Sequence, residues 1–306
     1  MMPSRQRRWA PYLFVSPFII LFVAFWIYPL LRSLVLSFFK SAGPGHEHFV
    51  GLGNYAFLLH DTLFWKAVGN TLWYTVAFVG IQIPAALALA MLLNHPRLRL
   101  RGVFRYAFFS PHLVGGVFVA VMFSLLLSQR RGLISIWIDQ FTSALHAALP
   151  FIPATGNEIN WLGRPDLAMF AVIIASLWLS IGYAMIYLLA ALQAVDQELY
   201  EAADIDGAGR WQKFWHITLP GIRPTLTFLL LMGTIGAFQL FELPYVLFQG
   251  GAGPNNSALT IVMYLYQQGF ETGDLGFASA IGWVLVLMIL AISLIQVRAT
   301  RAARDD

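Results

Sequence analysis

Six stretches of this chain contain no Asp, Glu, Lys or Arg, and they restrict its possible folds more than any other feature. The hydrocarbon core of a bilayer requires about 20 apolar residues per helix. Within lipid, each backbone amide must find its partner inside the chain, so these stretches must be helical. The six stretches are residues 12–31, 67–93, 106–128, 167–195, 224–241 and 275–297.

The fifth stretch continues beyond Glu242 as residues 243–248. We therefore predict an all-α membrane protein with six transmembrane helices, forming a single transmembrane domain over residues 1–306. The predicted spans are about 12–36, 67–93, 106–128, 167–195, 224–248 and 275–297.

The composition supports this prediction. The chain is 58% hydrophobic and 11% charged, whereas soluble domains carry about a quarter of charged residues. So few charges cannot cover a water-facing surface, which indicates a multi-pass protein of a cell membrane with the lipid bilayer as its surroundings. Basic tracts of the nucleic-acid-binding kind are missing, so we expect no nucleic-acid partner.

Basic residues predict the orientation, because Lys and Arg accumulate in cytoplasmic loops. The first stretch lacks a small-residue cleavage site, so we expect an uncleaved span. With both ends inside, the inner segments hold 13 of the 19 basic residues, and we predict an N-in, C-in topology. These 13 are Arg5, Arg7, Arg8, Arg97, Arg99, Arg101, Arg105, Arg210, Lys213, Arg223, Arg298, Arg301 and Arg304.

One outer stretch, residues 132–155, allows two interpretations. It is apolar enough to be an additional membrane segment. Asp139, His146 and two prolines favour an amphipathic helix on the outer surface instead.

Residues for catalysis or metal binding are not evident. The chain has no cysteine, and it contains neither a phosphate-binding loop nor a metalloprotease or serine-hydrolase motif. His46 and His48 flank Glu47 in an outer loop, which we interpret as a solvated loop rather than a metal site. We therefore predict a protein that is not an enzyme and has neither catalytic residues nor a bound metal.

The inner segment 196–223 is more elaborate than a connector needs to be. Asp196 can cap a helix that starts at Gln197 and continues to about Asp206. Gly207 can end this helix in the left-handed conformation. A second short helix is expected from Arg210 onwards, with aromatic residues at the membrane interface. From these features alone, a plain connector with a charged, solvated face remains an alternative.

The same segment, "EAADIDGAGRWQKFWHITLP", resembles the EAA signature of permease subunits of binding-protein-dependent ABC importers, in its carbohydrate branch of maltose and glycerol-phosphate type. The resemblance extends over nearly the whole chain, for example to "FRYAFFSPHLV" and "FQLFELPYVLFQGGAGP". Glu242 departs from the Asp that is frequent in the family, and the chain lacks the large outer domain of some maltose-type permeases. The residues of the signature are Glu201, Ala202, Ala203, Asp204, Gly207, Ile217, Leu219 and Pro220.

The resemblance implies a type I ABC importer permease fold in a prokaryotic inner membrane. The first EAA helix would be the coupling helix, which docks on an ATPase subunit. The implied partners are a second homologous permease (the family suggests a heterodimer), two ABC ATPase subunits, an extracytoplasmic solute-binding protein and a carbohydrate substrate. ATP and Mg would be bound by the ATPase subunits, and this chain would bind no cofactor.

Polar and aromatic residues within the spans are candidates for the substrate pathway. Glu242 is the foremost candidate, because an acid within a membrane span is costly and marks function by default. A structural partner for a helix end, or a place at the outer interface, are equally open for it. Gln239 and Tyr245 lie three residues to either side and would share one helix face with Glu242. Weaker candidates are Asn70, Gln82, Trp178 and Tyr183.

The main alternative function is a stand-alone secondary transporter that uses Glu242 for ion coupling. This alternative leaves the EAA signature unexplained. An intramembrane enzyme lacks catalytic residues, and ABC exporters usually lack the signature.

The topology can be tested directly, since the chain has no native cysteine. We expect that a cysteine replacing Asp206 reacts with a membrane-impermeant maleimide only after the membrane is opened. A cysteine replacing Glu271 should react in intact cells. The reverse pattern would contradict the N-in, C-in topology.

Overall fold

The computed structural model describes the chain from residue 4 to residue 305, without positions 42, 44, 46, 96–97, 129–131 and 149–159. His46, one of the two histidines weighed for metal binding, and the end of the stretch 132–155 therefore lie outside the described residues. The preceding part of that stretch forms a helix, Leu133–Ala148.

Helices make up most of the described chain. A short antiparallel pair of strands, β1 (Phe39–Ser41) and β2 (Glu47–Phe49), is the exception, and it pairs Lys40 with His48. The helices are α1 (Ser4–Phe22), α2 (Tyr28–Leu36), α3 (Gly53–His60), α4 (Thr62–Asn94), α5 (Arg101–Leu113), α6 (Gly116–Leu126), α7 (Leu133–Ala148), α8 (Pro165–Gln193), α9 (Gln197–Ile205), α10 (Arg210–Lys213), α11 (Leu219–Phe238), α12 (Glu242–Leu247), α13 (Ile261–Tyr266) and α14 (Leu275–Asp305).

Among the described residues, five helical runs are long and apolar enough to cross a membrane, and the bent pair α5–α6 makes a sixth span if counted as one. This number agrees with the six predicted spans. The five runs are Pro11–Leu36, Thr62–Asn94, Pro165–Gln193, Arg210–Phe238 and Leu275–Thr300. That residues 1–306 act as one transmembrane domain stays a prediction.

Two predicted spans are not continuous helices. In the third span, α5 and α6 meet at an angle of 99° around Val114 and Gly115. The prediction of one helix over residues 224–248 is wrong, because α11 ends at Phe238 and α12 starts at Glu242. A break in a span must satisfy its free backbone groups. The hydroxyl of Thr260 does so by donating to the carbonyl oxygen of Leu240 at 2.7 Å.

Packing divides the chain into two compact units. The first comprises Met1–Thr62 and Tyr264–Leu287. Within it, the Asp274 carboxylate accepts from the amide of Ser41 at 3.2 Å and from that of Phe277 at 3.0 Å, which ties the start of α14 to β1. The Tyr264 hydroxyl donates to Asp61. Burial first, and then this hydrogen bond, raise the pKa of Tyr264 above its ordinary value.

The second unit, Leu63–Met263 with Met288–Asp306, is organised around α8. Half of the most apolar part of α8 is buried within the protein. Ala171 and Val172 are fully buried in one apolar cluster that includes residues of α4, α6 and α12. Met185 and Leu188 are fully buried in a second cluster with residues of α4 and α11. Helix α8 therefore carries most of the packing that holds the second unit together.

Helices α8 and α5 approach each other very closely. A Cβ added at Gly182 of α8 would lie 1.8 Å from the carbonyl oxygen of Phe108 in α5. Only a glycine permits two helix backbones to pass at this distance. Gly182 therefore determines how α5, and with it the break before α6, is positioned.

We expect Gly182→Ala to destabilise the protein by about 1–3 kcal/mol, because an entire backbone segment must move to admit one methyl group. Thermal unfolding of the purified protein in detergent, followed by intrinsic fluorescence, measures this. Gly80→Ala in α4 is the matched control, since a Cβ there meets nothing within 4 Å. Equal unfolding temperatures for the two variants would contradict the close-contact argument.

Candidate functional site

The inner segment 196–223, which we call the EAA loop, starts with the capped helix that its sequence predicts. The Asp196 carboxylate accepts from the amide of Glu198 at 3.0 Å, and α9 follows. Gly207 ends the turn with a φ of 73°, in the left-handed region. The amide of Ala208 then donates to the carbonyl of Ala203 at 2.8 Å, which closes the helix.

The second half of the EAA loop is not a separate short helix, so that prediction is wrong. Instead α10 continues through a π-helical turn, Phe214–Thr218, directly into α11. Pro220 has no amide hydrogen and would interrupt a regular α-helix here. The π turn shifts the hydrogen bonds by one residue, with the amide of Leu219 donating to the carbonyl of Phe214, and the helix continues.

Side chains hold α9 against this continuous helix. The Tyr200 hydroxyl and Thr218 Oγ1 are 2.9 Å apart. Lys213 Nζ donates to Asp204 in an ion pair. At the end of the loop, the Val195 side chain lies so close to Gly221 that an added Cβ would come within 2.8 Å of it. Helix α9 is therefore fastened to the continuous helix at two points, and the residue that precedes the EAA loop packs against the same helix.

The opposite side of α9 is exposed in the described part of the chain. Glu201 and Ala202 are exposed, and Ala203 is half-buried. Ile205 is 88% exposed, although its side chain is large and apolar. Ile217 and Leu219 of the signature are half-buried and belong to the continuous helix, with Pro220 exposed beside them. The loop thus presents small, apolar and acidic groups together on one exposed face.

The second candidate is a cavity of about 630 Å³ in the second unit, which we call the Glu242 cavity. Both helix breaks contribute to it, through His112 and Gly116 on one side and Gln239 to Leu243 on the other. Glu242 is exposed. A Cβ added at Gly116 would lie 3.4 Å from Glu242 Oε2, so the carboxylate lies at the start of α6.

Aromatic rings and polar side chains share the lining of this cavity. Tyr74 and Phe78 of α4 stack with their centroids 5.3 Å apart, and Tyr183 packs against His112 in a tilted arrangement with centroids 4.8 Å apart. Gln82 is 6% exposed and donates to the carbonyl of Ser180 at 3.3 Å, which fixes its amide. Such a lining offers ring faces together with hydrogen-bonding groups.

Four of the seven predicted pathway residues line the Glu242 cavity, namely Gln82, Tyr183, Gln239 and Glu242. The other three do not belong to its lining. Asn70 donates to the carbonyls of Asn256 and Leu259 at 2.9 and 3.0 Å and so holds a loop. Trp178 contacts Phe123 with centroids 5.9 Å apart. Tyr245 stacks on Phe241 at 5.0 Å.

Gln239, Glu242 and Tyr245 do not share one helix face, and that prediction is wrong. Gln239 caps the end of α11, whereas the other two belong to α12. The sequence analysis also missed Tyr74, Phe78, His112 and Phe241 as lining residues. Pro111 indicates a helix break near His112 from the sequence alone, whereas nothing in the sequence distinguishes the two α4 rings from ordinary packing.

Charge in the cavity comes from few groups. Glu242 is the acidic side chain of its described lining, and His112 is the imidazole. The described residues contain no group of three or more His, Asp or Glu side chains that could hold a metal ion.

Comparison with known proteins identifies related chains along nearly the whole length of this one. Residues 82–303 match the family described as binding-protein-dependent transport system inner membrane component. The chain is 38% identical over 301 residues to the arabinooligosaccharides transport system permease protein AraP of Bacillus subtilis (strain 168), covering 98% of this chain and 91% of the relative. It is 38% identical over 291 residues to the lactose transport system permease protein LacF of Rhizobium radiobacter, covering 95% and 93%.

A solved structure has the same fold. It is a bacterial alginate ABC transporter in complex with an alginate pentasaccharide-bound periplasmic protein. One of its chains superimposes with a TM-score of 0.80 at 24% identity, covering 97% of this chain and 96% of that chain.

The end of α9 provides a test of the EAA loop geometry. We expect Gly207→Val to destabilise this end by about 1–2 kcal/mol, the cost of placing a side chain in the left-handed region. Amide hydrogen exchange should accelerate for residues 204–208 and remain unchanged in α8. Gly209→Ala is the control, because Gly209 has a φ of −70°. Unchanged exchange in the valine variant would contradict a left-handed helix end.

Proposed function

Because the chain belongs to the family of inner membrane components of binding-protein-dependent transport systems, we propose that it is the membrane-spanning subunit of an ATP-driven importer for a carbohydrate. It is a transporter permease subunit and not an enzyme, and its place is the inner membrane. The observation that carries the proposal is a single helical run, Arg210–Phe238, which connects the EAA loop with the Glu242 cavity.

The cargo is proposed from the chemistry of the cavity. A sugar has apolar C–H faces that pack on aromatic rings, and hydroxyl groups that bond to amides and carboxylates. Phe78 and Tyr183 offer ring faces, and Gln82 and Glu242 offer hydrogen-bonding groups. The relatives named for arabinooligosaccharides and lactose support the same substrate class.

Coupling is proposed through α9. Its exposed face would dock on an ATPase subunit, with Ala202 and Ala203 permitting close approach and Glu201 contributing a charged contact. Asp204, paired with Lys213, and Gly207 would give the docked helix its shape. Because Tyr200 is hydrogen-bonded to Thr218, a displacement of α9 would be transmitted to the continuous helix Arg210–Phe238. Leu229, Met232 and Gly233 of that helix line the cavity.

The complete importer would contain more chains than this one. A second homologous permease, forming a heterodimer with this subunit, would supply the other side of the pathway. Two ATPase subunits would bind ATP and Mg, and this chain would bind no cofactor. An extracytoplasmic binding protein would deliver the sugar. Nucleotide on one side and loaded binding protein on the other would then bias an equilibrium between inward- and outward-facing states.

An ion-driven transporter is the competing hypothesis, with Glu242 as the coupling acid. Uptake of radiolabelled oligosaccharides into proteoliposomes that contain all partner chains separates the two. We expect uptake to require ATP on the side of the membrane where the ATPase subunits lie. Uptake should persist when an ionophore collapses the ion gradients. Uptake that needs the gradient and not ATP would overturn the proposal.

The role of α9 is tested by charge reversal. We expect Glu201→Lys to lower uptake by roughly tenfold or more, which corresponds to a loss of about 1.4 kcal/mol at the docking surface. ATP hydrolysis should continue without responding to the binding protein, and the permease should still insert into the membrane. Glu271→Lys, equally exposed but outside the EAA loop, is the matched control. Normal uptake by the Glu201 variant would count against docking through this face.

A further inference from the structure

Glu242 does more than supply one polar group to the cavity, because of where its carboxylate lies. Two helix breaks meet there, one before α6 and one before α12. The Glu242 carboxylate lies against Gly116, the first residue of α6, where an added Cβ would be 3.4 Å from Oε2. Gly115, which precedes α6, provides no side-chain cap.

The start of a helix attracts anions. Its first amides have no acceptor within the helix, and the helix dipole adds a partial positive charge. Phosphate, sulfate and carboxylate groups of ligands therefore bind at such ends. Helix α6 has 11 residues and starts at the cavity. Without Glu242 it would present this anion-attracting end to any cargo.

The rest of the lining adds no fixed positive charge. No Lys or Arg belongs to the described lining of the Glu242 cavity, and His112 is its only imidazole. An anionic sugar would meet the carboxylate of Glu242 at close range, where like charges repel. An uncharged sugar would meet a carboxylate that accepts hydrogen bonds from hydroxyl groups.

We propose that Glu242 is a specificity-determining residue: it occupies the anion-attracting start of α6 from within the chain and thereby restricts the cargo to uncharged sugars. This inference rests on the carbohydrate cargo of the proposed function. It assigns the rejection of uronates, aldonates and sugar phosphates to one side chain. Replacing that side chain by its uncharged isostere would keep its shape, remove the repelling charge from the start of α6 and admit anions.

Direct binding tests the proposal without the binding protein, which has its own selectivity. The purified assembly of this chain with its partner permease and ATPase subunits is placed in nanodiscs, with and without a non-hydrolysable ATP analogue. Equilibrium dialysis then measures three matched pairs of sugars. They are lactose with lactobionate, trehalose with trehalose 6-phosphate, and arabinotriose with trigalacturonate.

In each pair that the wild type binds, we expect its affinity for the neutral sugar to exceed that for the anionic sugar by roughly tenfold or more. This is the size of a close like-charge repulsion. Glu242→Gln should bind the anionic sugar more tightly than the wild type does, so that its affinities for the two sugars lie within about threefold of each other. Glu242→Asp keeps the charge and should retain the preference. Glu271→Gln removes an exposed acid elsewhere and should behave as the wild type.

Each result bears on a different claim. A wild type that binds the anionic member as well as or better than the neutral one overturns the inference and leaves the carbohydrate cargo standing. The same holds if Glu242→Gln, shown to be folded by size-exclusion chromatography, keeps the full preference. If no sugar of either kind binds in either nucleotide state, the carbohydrate cargo is overturned and the inference with it.

Discussion

The need to satisfy every backbone amide and carbonyl inside a bilayer is the constraint on which this structure depends. It makes the spans helical, and it makes each departure from a helix expensive. Two of the spans are broken, and hydrogen bonds satisfy backbone groups at both breaks. The Thr260 hydroxyl donates to the carbonyl of Leu240, and the amide of Val114 donates to the carbonyl of Pro111 at 3.0 Å. Both departures border the Glu242 cavity, so the irregular backbone occurs where a ligand would need polar groups.

One long helix connects the EAA loop with the Glu242 cavity and can transmit a displacement between them. The run from Arg210 to Phe238 starts in the EAA loop, contains a π turn and ends at the break before Glu242. Helix α9 is joined to its base by Tyr200 and Thr218, while Leu229 near its middle is 4% exposed and packs beside α8. A rigid element with a fastened lower end and a cavity at its upper end suits a mechanism in which the two ends respond together.

Local rules predicted the features that depend on neighbouring residues. Asp196 caps α9 and Gly207 ends it because each role needs only a few adjacent backbone groups. The apolar stretches were sufficient to place the spans and to indicate the membrane. The break after Phe238 escaped prediction, because residues 224–248 are apolar enough for one span despite Glu242, and the hydroxyl that stabilises the break, from Thr260, comes from a later segment.

The residues of the candidate site also fall into those that the sequence predicts and those that it does not. Glu242 and Gln82 were found because polar groups in apolar spans are unusual, and Asn70 was selected by the same argument although it holds a loop. Tyr74 and Phe78 were missed because an aromatic side chain in a span looks the same whether it packs or lines a cavity. The strands β1 and β2 were also missed, since three residues each are too short to show a periodic pattern.

The π turn at Phe214–Thr218 sets the rotation of α10 relative to α11. A π turn holds one residue more than an α turn, and this wider turn accommodates Pro220, which would interrupt a regular α-helix. The additional residue rotates the helix below the turn by about 100° relative to the span above. Deleting one residue here would reverse that rotation and place the proline ring in a regular turn, so the number of residues in this turn is as restricted as their identity.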